Sequence, residues 1–135
     1  MNSIEKTKWE VKKEDNARHR ILYARRFINA FRGMYIFGKT TKHLFVHLFA
    51  ALLVVFLGFY FRISGIEWML IVFAIGLVLI SEAFNTAIEI DIDLTSPEYH
   101  PYARDTKDVS ASAVLLAVFV AIIVGLIIFL PKMFY

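Results

Sequence analysis

Three long apolar blocks constrain this chain more than any other feature of its sequence. They run from Leu44 to Phe61, from Ile66 to Ile80 and from Val109 to Leu130. The first and third reach the roughly 20 residues that a helix needs to cross about 30 Å of hydrocarbon, and the second reaches that length only if its helix continues past residue 80. A globular surface helix needs a polar face, which these blocks lack. The sequence therefore predicts an all-α membrane protein, a helical bundle with three transmembrane helices.

The basic residues predict the orientation of these spans. Eleven Lys and Arg residues precede the first block, whereas the link between the first two spans holds only Arg62. Because basic residues favour the cytoplasmic side, we expect the N-terminus and the 95–108 link in the cytoplasm and the C-terminus on the outer side of the membrane. In this multi-pass topology the basic excess indicates contact with anionic lipid headgroups, and no nucleic-acid partner is expected. The absence of cysteine excludes disulfides and Cys-based metal sites.

The N-terminal third divides into two parts. Residues 1–16 are charged without periodicity and predict a polar tail, and residues 17–135 are expected to form a single membrane domain. From Ala17 to about Lys39, apolar residues recur at helical spacing and Arg residues cluster away from them, which predicts an amphipathic helix on the membrane surface. A helix that packs against the bundle fits this pattern equally well.

The second apolar block runs into an acidic stretch that ends at Asp93. No Gly or Pro interrupts it, so this helix is expected to continue to about residue 94. At 3.6 residues per turn, four polar side chains share one face and Asp91 points to the opposite side. These four are Glu82, Asn85, Glu89 and Asp93. Clustered carboxylates near hydrocarbon need a compensating cation, and Mg²⁺ with nucleotide phosphates supplies one. Pairing with the Arg-rich surface helix is the structural alternative.

The link between the second and third spans offers a further site for phosphate. Asp105 or Thr106 is expected to cap the third helix, which would leave free backbone N–H groups and a positive dipole end beside Lys107. Two other patterns are set aside. Gly33 to Thr40 matches a P-loop, but no strand precedes it. His43 and His47 have metal-ligand spacing without a third ligand nearby in the sequence, so they are interpreted as interface histidines.

The acidic stretch and the link after it resemble one known family. The residues Glu82 to Glu89 with Asp93, then Ser96 to Pro101, then Lys107 with Asp108, are similar in order and spacing to the signature of the prokaryotic diacylglycerol kinases, small three-span enzymes that include the undecaprenol kinases. A weaker likeness extends back to about Phe27. The resemblance implies a lipid kinase of the bacterial cytoplasmic membrane that takes lipid from the bilayer and Mg²⁺ with ATP from the cytosol, and that assembles as a homotrimer.

The resemblance also implies roles for individual residues. Glu82 would be the general base for the lipid hydroxyl, Asn85 a polar anchor beside it and Glu89 a magnesium ligand. The nucleotide would be held by Asp93, Glu98, Tyr99, His100, Lys107 and Asp108.

One position departs from the family pattern. A second metal-binding Glu is usual near the start of span one, where this chain has Thr41. A hydroxyl can ligate Mg²⁺ but supplies no charge. The alternative function is therefore a catalytically impaired relative that binds lipid or nucleotide without efficient turnover. Neither alternative separates diacylglycerol from undecaprenol as the acceptor, since both present a primary hydroxyl on an apolar body.

Overall fold

The computed structural model describes the backbone of residues 8–134, with the side chains of residue 23 and residues 25–134. This part of the chain forms four α-helices and no strand, which confirms the all-α class. The helices are α1 (Lys8–Thr40), α2 (Leu44–Tyr60), α3 (Gly65–Thr95) and α4 (Pro101–Phe134). The chain divides into two compact units, Met1–Lys39 and Thr40–Tyr135. The second unit contains α2, α3 and α4.

Helix α1 begins earlier than the sequence pattern predicts. It starts at Lys8, so residues 8–16 of the expected polar tail are helical, and residues 1–7 lie outside the described part of the chain. Residues 8–16 contain no Gly or Pro and include several Lys and Glu, which favour helix. The side chains before residue 23 that contribute to the predicted amphipathic face are likewise outside the described set. The Gly33 to Thr40 pattern lies within α1, so it forms a helix and not a phosphate-binding loop.

Two of the described helices, α3 and α4, are long and apolar enough to cross a membrane, and α2 becomes a third candidate only together with the end of α1. At 1.5 Å per residue, the 31 residues of α3 extend about 46 Å, well beyond about 30 Å of hydrocarbon. The predicted continuation of this helix to about residue 94 is confirmed, because α3 ends at Thr95.

The start of α4 corrects the predicted cap. The helix begins at Pro101, eight residues before the apolar block at Val109, so Asp105 and Thr106 lie inside it and cap nothing. Thr106 Oγ1 instead donates a hydrogen bond to the carbonyl oxygen of Tyr102, at 2.8 Å. Proline favours the first helical position, because its φ angle is already helical and its missing N–H would have no partner there. The free N–H groups of α4 therefore lie beside the 96–100 link and not beside Lys107.

A tight turn joins α2 to α3. The N–H of Ile63 donates to the Gly58 carbonyl at 3.1 Å and that of Arg62 to the Phe59 carbonyl at 3.3 Å, while Arg62 adopts a φ of 48°. This left-handed residue with its two returning hydrogen bonds is a Schellman motif, which satisfies the last carbonyls of α2. Helix α3 then starts with a capping box, in which Ser64 and Glu67 each accept a hydrogen bond from the other's backbone N–H.

Helices α3 and α4 form an antiparallel pair held at both ends. Near the α3 start, Lys132 Nζ lies 3.2 Å from Glu67 Oε1, and at the far end Lys107 donates a hydrogen bond to Asp93. Between them, Ile71 of α3 belongs to a buried cluster with Ile63, Ile128 and Phe129. This pairing fixes which face of α3 is turned toward α4.

Gly58, near the end of α2, lies so close to the Trp68 ring that an added side chain would require a local shift. A Cβ there would lie 2.7 Å from Cη2 and 2.9 Å from Cζ2 of Trp68, whereas a Cβ on Gly76 would meet nothing within 4 Å. We expect Gly58→Ala to lower the free energy of unfolding by about 1 to 3 kcal/mol through overpacking. The matched Gly76→Ala should be neutral or stabilising, because Ala favours helix. Thermal unfolding in detergent checks this, and equal stability of the two variants would contradict it.

Candidate functional site

The polar face predicted on α3 runs from the protein interior to an exposed surface. Glu82 is 4% exposed and Asn85 9%, Glu89 is half-buried and Asp93 is exposed. Glu82 stands 17 residues after Gly65, about 26 Å along the helix, which places it near the far edge of a bilayer core that begins at the α3 start. The row therefore begins where the apolar part of α3 ends.

Glu82 faces a histidine from α2. His47 Nε2 lies 4.0 Å from Glu82 Oε2, and the two side chains are 16% and 6% exposed. His47 therefore lies beside a buried carboxylate, whereas His43, which was also interpreted as an interface histidine, is exposed. Spacing within α2 carried no signal for this contact, since it depends on how α2 packs on α3.

Asn85 links α3 to α4 through its side-chain amide. Its Nδ2 donates a hydrogen bond to Glu89 Oε1 at 3.0 Å, and its Oδ1 accepts one from Ser110 Oγ at 2.6 Å. Ser110 is 6% exposed and was not singled out by the sequence pattern, although it lies one turn after Lys107. Because both ends of the amide are engaged, the Glu89 carboxylate is held in a defined orientation.

Thr41 is buried against α3. Its hydroxyl shares a hydrogen bond of 2.9 Å with the hydroxyl of Thr86, and the two residues are each 7% exposed. The sequence pattern did not identify Thr86 as a site residue, although it stands four residues after Glu82 on the same helix. The position that the resemblance associates with a second metal-binding carboxylate is thus occupied by a neutral hydroxyl pair.

Magnesium needs few protein ligands, and Glu89 meets that requirement. In the described residues, no three His, Asp or Glu side chains gather closely enough to hold a metal ion by themselves. Mg²⁺ bound with a nucleotide commonly uses one or two carboxylates, with phosphate oxygens and water completing its shell. Glu89 is oriented by Asn85 and remains partly accessible, so its carboxylate fits such a ligand.

The residues predicted to hold a nucleotide are only partly brought together. Lys107 donates a hydrogen bond to Asp93 across the α3–α4 pair. Asp108 lies 3.6 Å from Arg104 on an exposed face of α4. The remaining three occupy the exposed link before α4, and they are Glu98, Tyr99 and His100. Lys107 and Asp93 thus form one charged pair beyond the buried part of the α3 row.

An apolar groove of about 360 Å³ lies among α2, α3 and α4. It is bordered by Val54 of α2, by residues 71–79 of α3 and by residues 118–133 of α4, and His47 is the one polar side chain in its lining. Small residues stand at every fourth position of α4 and form a small-residue stripe of Ala113, Ala117, Ala121 and Gly125. Two of them, Ala121 and Gly125, also line the groove. Glu82 itself does not line the groove, but its Oε2 lies 4.0 Å from Nε2 of His47, which does.

Comparison with known proteins assigns a family to this arrangement. The sequence profile of prokaryotic diacylglycerol kinase matches residues 28–129. The chain is 40% identical over 107 residues to the undecaprenol kinase of Bacillus subtilis (strain 168), an alignment that covers 79% of this chain and 87% of that protein. It is 33% identical over 108 residues to a Synechocystis diacylglycerol kinase, covering 79% of this chain and 62% of that enzyme. For the diacylglycerol kinase of Escherichia coli (strain K12) the identity is 36% over 74 residues, or 55% and 61% of the two chains.

These matches and the apolar helices define the class as a bacterial membrane protein that acts as an ATP-dependent lipid kinase. The chain belongs to the prokaryotic diacylglycerol kinase family.

The hydrogen bond between Ser110 and Asn85 yields a test of the site's integrity. Ser110→Ala leaves the buried Asn85 Oδ1 without its donor, so the free energy of unfolding should fall by about 1 to 3 kcal/mol. Ser112→Ala is the matched control, because the Ser112 hydroxyl is exposed and donates only to the Val109 carbonyl of its own helix. Chemical or thermal unfolding in the same detergent compares them. The network is unimportant for stability if both variants unfold like the parent.

Proposed function

We propose that the chain transfers the γ-phosphate of ATP to the primary hydroxyl of undecaprenol or diacylglycerol, giving undecaprenyl phosphate or phosphatidic acid. The observation that carries this proposal is the position of Glu82. It is a buried carboxylate 4.0 Å from His47, the polar side chain that lines the apolar groove, and it lies where the apolar part of α3 gives way to its polar part. A lipid hydroxyl meets a carboxylate there, and ATP approaches from the exposed end of the same row.

The proposed step needs little covalent chemistry from the protein. Glu82 accepts the proton of the lipid hydroxyl while that oxygen forms a bond to the γ-phosphorus, and the bond from this phosphorus to the β–γ bridging oxygen breaks as ADP leaves. Glu89 would hold Mg²⁺, and Asn85 orients Glu89 and is itself tied to α4 by the hydrogen bond from Ser110. Bound Mg²⁺ neutralises phosphate charge.

Nucleotide binding is assigned to the exposed end of the row. Lys107 is a cation that could contact phosphate oxygens, and its pairing with Asp93 keeps it at the α3–α4 junction before nucleotide arrives. The exposed side chains that complete the proposed set are Glu98, Tyr99, His100 and Asp108. Support for these assignments is the resemblance, together with the charged pair.

Undecaprenol is the first acceptor to test. The Bacillus subtilis relative named undecaprenol kinase aligns over 87% of its length, against 62% and 61% for the two diacylglycerol kinases compared. Apart from His47, the side chains that line the groove are apolar, which suits the hydrocarbon part of a lipid with a terminal hydroxyl. Diacylglycerol instead carries two acyl chains, with ester oxygens close to its hydroxyl. Phosphorylation rates measured side by side therefore distinguish the two acceptors.

We also infer the assembly and the orientation from resemblance and charge. The proposed state is a homotrimer with its N-terminus in the cytoplasm, its C-terminus outside, and its basic N-terminal region on anionic headgroups. The small-residue stripe of α4 lends the trimer little support, because Ala117 is 5% exposed within the single chain and Ala121 lines the groove.

Replacing the proposed base tests the function directly. Glu82→Gln keeps the size and polarity of the side chain but removes the proton acceptor, so lipid phosphorylation should fall by about 10² to 10⁴-fold. Asp91→Asn is the matched control, since Asp91 is an exposed carboxylate of α3 outside the polar row. Phosphorylated lipid is measured in nanodiscs that contain either acceptor. Near-parental turnover of folded Glu82→Gln protein would require another base.

A second candidate function rests on the Thr41–Thr86 hydroxyl pair. If the missing carboxylate is indispensable, the chain binds lipid or nucleotide without efficient turnover. The buried hydroxyls supply oxygen but no negative charge beside a metal site. The Mg²⁺ dependence of lipid phosphorylation distinguishes an active kinase from a relative that binds its ligands without efficient turnover.

Thr41→Glu restores a carboxylate at the position where this chain departs from the family. For an inefficient kinase we expect a lower Mg²⁺ concentration at half-maximal turnover and a higher rate, because a charged ligand binds the ion more tightly. For a relative inactive on this account alone, the change should switch activity on. Thr41→Gln controls for side-chain size without charge. A fully active parent that gains nothing from Thr41→Glu would show that no second carboxylate is needed.

A further inference from the structure

His47 occupies the junction between the two halves of the proposed site. It stands on the first turn of α2, lines the apolar groove and places Nε2 4.0 Å from Glu82 Oε2. The other residues that line this groove are apolar or glycine. A polar side chain at the end of an otherwise apolar lining, beside a buried carboxylate, has a role that packing alone does not account for.

Among the described residues, the Glu82 carboxylate has one close polar neighbour, His47. Within the described residues, His47 is the only polar side chain recorded at hydrogen-bond or ion-pair distance from Glu82. Asn85 and Thr86 follow on the same helix, but their side chains bond to Glu89, Ser110 and Thr41 instead. A Glu side chain has several rotatable bonds, so without a partner its carboxylate would sample many positions.

We propose that His47 is a positioning residue that holds the Glu82 carboxylate beside the groove, in the orientation that meets an incoming lipid hydroxyl. This inference rests on the proposed function, because it assigns Glu82 the proton of that hydroxyl. At 4.0 Å the contact is longer than a hydrogen bond of about 2.7 to 3.2 Å, so a small rotation of either side chain closes it. His47 itself exchanges no proton with the substrate in this scheme.

The role has a kinetic signature. Misplacing a catalytic group by about 1 Å costs up to about 10²-fold in rate, so removal of His47 should lower kcat by about 10 to 100-fold. The proposed metal ligand Glu89 lies seven residues beyond Glu82 on α3, and among the described residues its hydrogen bond is to Asn85 and not to His47. The KM for Mg²⁺ with ATP should therefore stay within about twofold of the parental value.

The experiment compares four substitutions in the full chain in nanodiscs. His47→Leu removes the polar group, and His47→Gln restores a donor at about the reach of Nε2. His47→Asn carries the same amide on a shorter side chain, which serves if the Leu variant does not fold. His43→Leu is the matched control, because His43 is exposed and its side chain makes no cap hydrogen bond at the start of α2. We expect loss of kcat in the Leu and Asn variants, substantial recovery in the Gln variant and no change in the control.

Combining His47→Leu with Glu82→Gln decides whether His47 acts through Glu82. If it does, the double variant should be no slower than Glu82→Gln alone, since there is no base left to position. Independent, multiplying losses would overturn the proposal, as would parental kcat in His47→Leu or equal loss in the Gln and Asn variants. These results would leave the proposed function standing. A parent chain that phosphorylates neither lipid would instead overturn the proposed function, and this inference with it.

Discussion

The structure depends on satisfying a polar row on a helix that is otherwise built for hydrocarbon. Glu82, Asn85 and Thr86 are all buried in α3, where an unpaired polar group costs several kcal/mol. Each finds a neighbour from a different part of the second unit: His47 on α2, Ser110 on α4, and Thr41 just before α2. The packing of α2 and α4 on α3 is therefore constrained by these polar contacts as well as by apolar burial.

The polar row of α3 also joins the buried end of the proposed site to its exposed end. From Glu82 to Asp93 the helix rises about 16 Å, and along that distance the side chains pass from buried to exposed. A lipid and a nucleotide differ in where they can travel, one in the bilayer and the other in water. One helix can contact both substrates if its acidic side chains extend from the edge of the bilayer into water. The lipid and the nucleotide are then bound at fixed positions along α3. Asn85 lies between the two proposed roles and is held at both ends of its amide.

Local periodicity explains what the sequence could predict. The continuation of α3 to about residue 94 and the shared face of its acids follow from helical spacing and from the absence of Gly and Pro, which are properties of one segment. Ser110, Thr86 and the contact of His47 were missed because they depend on the rotation of one helix against another. The start of α4 was misplaced for a local reason: polar residues 101–108 were interpreted as a link, although Pro101 favours a helix start there.

The measurement that tests the central claim most directly is the transfer of label from ATP, radiolabelled at the γ-phosphate, to lipid in nanodiscs. Undecaprenol, diacylglycerol or neither is supplied in parallel, with and without Mg²⁺. The account predicts label in the lipid fraction only when an acceptor and Mg²⁺ are both present, with undecaprenol the better acceptor. Label that stays in ATP with both lipids, from a folded chain that still binds nucleotide, would contradict it and favour the impaired relative.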